Sequence, residues 1–94
     1  MLKSNEYFDG KVKSIGFDNQ GEQATVGVMA PGSYEFNTAA AERMTVVKGA
    51  LTIQQQGATE WQTYQAGEAF IVPASSSFKL DVKDATAYLC EFLK

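Results

Sequence analysis

The chain has 94 residues, eight basic against eleven acidic, no histidine and one cysteine. A net charge of −3 excludes the basic surface that nucleic-acid binders present. The lack of histidine excludes Ser-His-Asp and Cys-His nucleophilic sites and leaves no set of four nitrogen or sulfur ligands for zinc. One domain spanning residues 1–94 is expected at this length. No apolar run approaches the length of a membrane span, and the N-terminal MLKSNEYFDG carries no apolar stretch of signal-peptide length. A cytoplasmic protein is therefore expected, and the single Cys90 suits a reducing compartment.

In chain order, short alternating segments predict strands over 11–17, 23–29, 32–38, 43–48, 50–55, 59–64, 69–72, 77–82 and 86–92. Turn residues separate them: Asp18-Asn19-Gln20-Gly21, Pro31-Gly32, Lys48-Gly49, Gln56-Gly57, Ala66-Gly67 and Pro73. Thr38-Ala39-Ala40-Ala41-Glu42 could form one helical turn, too short to pack as a helix. Alternation puts Tyr34, Phe36 and Thr38 on one face of their strand, Phe78, Leu80 and Val82 on one face of theirs, and Tyr88, Cys90 and Phe92 on one face of the last. Each set should face the interior. Nine short strands in so short a chain suit an all-β fold, a closed or nearly closed barrel that hides its edges.

Two spacings carry more than pattern. The first is Gly32 followed by Glu42-x6-Gly49, and the second is Gly67-x5-Pro73, with seventeen residues between Gly49 and Gly67. A hairpin turn needs positive φ at Gly49, and Pro73 can end a strand because its missing N–H costs nothing there. This pair resembles the motifs of cupins, the RmlC-like jelly-roll β-barrels. In that family two histidines precede the glutamate and a third follows the proline. Here Phe36-Asn37-Thr38-Ala39-Ala40 stands where the first two belong, Phe78 where the last belongs, and Ser75 replaces a glycine. Only Glu42 keeps a ligand-type residue, and one carboxylate does not hold a catalytic transition metal. The resemblance thus implies a single cupin-type domain without a metal site.

A further resemblance runs end to end. Ser4-Asn5-Glu6-Tyr7-Phe8, the run Gly10 to Phe17, Val26 to Met29, Met44-Thr45-Val46 with Gly49-Ala50-Leu51, Ala58-Thr59 with Trp61-Gln62, and Tyr88-Leu89-Cys90 resemble the pyrimidine/purine nucleoside phosphorylase family. That likeness implies an enzyme, a pentosyltransferase of broad range. It would convert purine and pyrimidine nucleosides and inorganic phosphate to free base and (deoxy)ribose 1-phosphate, with no cofactor. The alternative is a cupin that binds a small molecule and does no chemistry.

Such chemistry needs a carboxylate for positive charge on the sugar, donors for phosphate and a stacking surface for the base. Glu42 is the catalytic candidate. Thr38, Tyr88, Tyr34, Phe78 and Arg43 are candidates for binding substrate, with Glu42, Tyr88 and Thr38 together holding the ribose. Lys11 and Lys13 could attract phosphate, and the Ser75-Ser76-Ser77 run could lend it hydroxyls and amides, but solvated surface residues are the plainer reading. Trp61 reads as a packing or interface anchor, and Cys90 as an inert small core residue. Small size favours a homodimer, with Asn5-Glu6-Tyr7-Phe8 adding to a neighbour's sheet edge.

Overall fold

The computed structural model describes residues 2–93. Its strands are β1 (Lys3–Tyr7), β2 (Val12–Asn19), β3 (Glu22–Met29), β4 (Gly32–Asn37), β5 (Glu42–Lys48), β6 (Ala50–Gln55), β7 (Gln62–Gln65), β8 (Ala69–Val72), β9 (Ser77–Val82) and β10 (Thr86–Phe92). They form two antiparallel sheets, one in the order β1-β2-β3-β10-β5-β8 and one in the order β4-β9-β6-β7. Alternating side chains from both sheets meet between them. Val12, Met29, Met44, Val46 and Tyr88 come from the larger sheet, and Tyr34, Leu51, Ile53, Phe78 and Leu80 from the smaller. This is the double-sheet jelly roll, which covers one face of each sheet but leaves edge strands, rather than a hydrogen-bonded closed barrel. At one corner the sheets are tied by Gly67 N–H donating to Val46 O (2.8 Å) and Val46 N–H to Glu68 O (3.0 Å).

Gly49 joins β5 to β6 at φ +104°, and a Cβ there would lie 2.5 Å from Thr86 Oγ1. Both the backbone conformation and the close approach of a fully buried threonine therefore demand glycine. Thr86 repays the space: its hydroxyl donates to Ala50 O (3.0 Å) and accepts from Ala50 N–H (3.2 Å), fastening β10 to the start of β6. Pro73 follows the last residue of β8, where the motif puts the end of a strand.

Several expectations need correction. The N-terminal segment forms β1 and pairs with β2 of its own chain, Asn5 opposite Ser14 and Tyr7 opposite Val12. Its polar sequence has no alternating apolar face to announce a strand. Residues 39 and 40 form bends, not a helical turn, because Thr38 is held to the loop before β9. The strand expected over 59–64 is Gln62–Gln65. Phe92 shares the inward side of β10 but sits near its end and is 37% exposed.

Candidate functional site

The site grows from register. Ser14 of β2 stands opposite Gly27 of β3, and Gly27 opposite Tyr88 of β10, so the three form one row across the larger sheet. A Cβ on Gly27 would lie 2.7 Å from Tyr88 Oη and 2.8 Å from Ser14 Cβ. Glycine thus lets the phenol lie across β3 toward Ser14, whose hydroxyl accepts a hydrogen bond from the Asn5 amide (3.4 Å). The next row carries Gly16, Thr25, Cys90 and Met44, and Glu42 follows opposite Phe92. The Cys90 thiol donates to Glu42 Oε1 at 3.4 Å.

These rows floor a cavity of about 190 Å³ between the sheets. Ser14, Thr25, Glu42, Tyr88 and Cys90 supply its polar groups, with Asn37 and Tyr7. Phe36, Phe78, Phe92, Met29 and Met44 supply its apolar wall. Phe36 and Phe78 lie nearly parallel (26°) with centroids 5.9 Å apart, and Tyr7 meets Phe36 edge to face at 6.0 Å. No lysine or arginine is among the lining residues.

The electrostatics follow from that wall. Burial raises the Glu42 carboxyl above its ordinary value, and the Cys90 hydrogen bond partly offsets this by favouring the ionised form. Burial pushes the Tyr88 phenol up to about 12, against the lowering effect of Ser14, so it remains a donor. Burial raises the Cys90 thiol strongly and the neighbouring Glu42 charge raises it further, so the sulfur stays protonated.

The candidates divide accordingly. Glu42, Tyr88 and Phe78 are brought together in the cavity wall. Thr38 is buried but not on that wall; its hydroxyl donates to Pro73 O (2.6 Å) and accepts from Ser76 N–H (3.0 Å). Tyr34 packs against Phe8 and donates its hydroxyl to Ala30 O. Arg43 follows Glu42 and so points to the opposite face, where Nε lies 3.0 Å from Glu91 Oε1. Lys13 lies 3.5 Å from Glu6, and Lys11 sits in the exposed turn before β2. Ser76 and Ser75 spend their amides on Thr38 and Ala39, and Trp61 stands exposed before β7. Sequence reasoning missed Ser14, Thr25, Asn37 and Tyr7 and gave Cys90 no part. For Ser14 a signal existed, since exposed Lys13 implies inward Val12 and Ser14.

A resident transition metal does not suit this donor set. Glu42 and Cys90 are the ligand-type side chains on the wall, and no group of three or more His, Cys, Asp or Glu among the described residues could hold one. The fold is that of a cupin-type jelly roll, with the cavity between its two sheets. An RmlC-like cupin from Shewanella frigidimarina superposes with a TM-score of 0.76, covering 97% of this chain and 82% of its own at 18% identity.

More specific kinship comes from sequence. Residues 2–92 match the family model described as pyrimidine/purine nucleoside phosphorylase. A relative of that name from Aeromonas hydrophila is 69% identical over 93 residues, 99% of each chain. The crystal structure of a Vibrio parahaemolyticus protein of unknown function aligns with a TM-score of 0.97 at 58% identity over 99% of both chains. The chain belongs to the pyrimidine/purine nucleoside phosphorylase family, a family of enzymes.

Proposed function

We propose that the cavity under Tyr88 and Glu42 is where this chain carries out phosphorolysis of purine and pyrimidine nucleosides, without a cofactor. The observation that carries the reading is a half-buried carboxylate in an aromatic-walled cavity. A phosphate oxygen attacks C1′ of the sugar while the C1′–N bond breaks, the base leaves with the bonding pair, and a pentose 1-phosphate forms. Positive charge builds on the sugar in the transition state, and the Glu42 carboxylate is the group positioned to stabilise it. Cys90 holds that carboxylate and helps keep it ionised. Tyr88 and Ser14 offer hydroxyls to the ribose or to the leaving base.

At about 190 Å³ the cavity is smaller than the roughly 300–1,000 Å³ of drug-sized pockets. It suits a pentose, with the base lying outward against Phe36, Tyr7 and Phe92. A base held by its faces rather than its edges is not selected by edge hydrogen bonds, which fits a broad range. With no cation on the wall, phosphate takes donors from Ser14, Thr25 and the Asn37 amide. We further propose that the enzyme works in the cytoplasm as a homodimer.

The test is release of uracil from uridine and hypoxanthine from inosine by the purified protein. Release should require phosphate and yield one pentose 1-phosphate per base. Bound nucleoside with no phosphate-dependent release above a no-enzyme control would make the chain a binding module.

A further inference from the structure

The larger sheet buries one face in the core, and the other is unusually apolar. Ile15, Val26, Val28, Val47 and Ile71 project from it and are between 42% and 56% exposed. They belong to β2, β3, β5 and the edge strand β8, with half-buried Leu89 and Ala87 of β10 between β3 and β5 in register: Ile15 opposite Val26, Val26 opposite Leu89, Val28 opposite Ala87. A shallow apolar groove runs over Ile15, Val26, Val28 and Ala87. We propose that this face is the docking surface for a second copy of the chain. The inference rests on the proposed homodimer and supplies its interface.

Charge selects the occupant. At the Val28 end of the face stand two lysines, Lys13 and Lys48, against one glutamate, Glu6. At the opposite end stand two glutamates, Glu22 and Glu91, against one arginine, Arg43. The face is therefore slightly basic at one end, slightly acidic at the other and apolar between. A two-fold axis lying across the strands sets the basic end of each copy over the acidic end of its partner, so the surface is complementary to itself. A nucleic acid or an anionic bilayer needs uniform free cations. Here Lys13 and Arg43 already pair with Glu6 (3.5 Å) and Glu91 (3.0 Å).

Area agrees. Six strands about 4.8 Å apart span roughly 24 Å, and six residues of strand run about 20 Å, on the order of 500 Å² before side-chain relief is counted. That approaches the roughly 800 Å² each partner buries in a standard interface. A 10.2 kDa monomer exposes about 5,300 Å² by the general scaling of surface with mass. This chain exposes 5888 Å². Two such faces pack as sheets do in a sandwich, about 10 Å apart.

Sedimentation equilibrium of the full chain at micromolar concentration, with Val26→Lys and Trp61→Lys beside the wild type, tests the surface. The wild type and Trp61→Lys, whose exposed ring lies off this face, should sediment at twice 10.2 kDa. Val26→Lys should weaken self-association at least tenfold and keep the wild-type melting temperature at a concentration where both are monomeric. A Val26→Lys protein that still dimerises like the wild type would overturn this surface while leaving the homodimer standing. A monomeric wild type would overturn both. If that monomer also floats with phosphatidylcholine vesicles, the face belongs to a bilayer instead.

Discussion

Burial works against the Glu42 carboxylate, and the Cys90 thiol works for it. If the ionised form stabilises the sugar cation, Glu42→Gln should lower turnover by roughly 10²–10³, the usual loss for one transition-state electrostatic contact. Unchanged turnover in steady-state phosphorolysis would remove Glu42 from the reaction. Stability has its own sign. A carboxyl raised in the fold keeps a proton that the unfolded chain releases, so stability is full below the ordinary 4.5 and falls as pH rises through the folded value. Glu42→Gln lacks that loss. Its melting temperature should match the wild type in acid and gain on it across this window, then run parallel. Cys90 can be tested separately. Cys90→Ala removes the donor that favours ionisation, so the acidic limb of the kcat/KM profile should move to higher pH, and Cys90→Ser should move it back. A limb that stays put in Cys90→Ala would reduce the thiol to filler. Tyr88, pushed up to about 12, should lend no limb of its own below about pH 10, so Tyr88→Phe should scale the profile without reshaping it.

Strands place these groups, and the placement shows which inferences a sequence supports. The glutamate motif with its glycine points Glu42 inward, and the alternation of β5 then turns Arg43, a binding candidate by sequence, to the opposite face beside Glu91. Alternation also puts Thr38 inward, correctly, but a face is not a partner. Its hydroxyl is spent joining the end of β4 to the loop before β9. Thr38→Val should therefore orphan the Ser76 amide and cost about 2 kcal/mol, or about 10 °C in melting temperature, with KM for nucleoside unchanged. A raised KM with wild-type stability would return Thr38 to the site. Ser14 and Thr25 join Tyr88 and Cys90 only through the register of β2, β3 and β10, across more than sixty positions of sequence, so local pattern could not assemble that row. The same register makes Gly27 irreplaceable. Gly27→Ala drives a methyl into Tyr88 and Ser14 and should cost about 1–3 kcal/mol while lowering turnover. β1 stayed hidden because LKSNEY has no apolar alternation, and it is held by backbone pairing at the edge of a sheet that other strands anchor.

At the scale of the molecule, the chain keeps the cupin frame and changes what the frame holds. The turn at Gly49, the proline after β8 and the inward glutamate persist because they shape the backbone around the cavity whatever occupies it. Phe78, where the metal-binding pattern has a histidine, stacks near Phe36 and touches Phe70 edge to face at 6.1 Å, so that position now builds an aromatic wall. The remaining ligand-type pair is engaged with itself, the Cys90 proton directed at Glu42 and held there by a pKa far above the working range. A metal would have to displace that proton from a buried sulfur and then find its other ligands among phenylalanine, methionine, hydroxyls and the single Asn37 amide, a poor set for a divalent ion. Phosphorolysis should therefore proceed at full rate after dialysis against a chelator. Elemental analysis of the active protein should find transition metal well below one atom per chain. Activity lost to the chelator and restored by one particular divalent ion would mean that Cys90 ionises on binding it. Glu42 and Cys90 would then both be metal ligands, and neither could act as the carboxylate–thiol pair that faces the sugar.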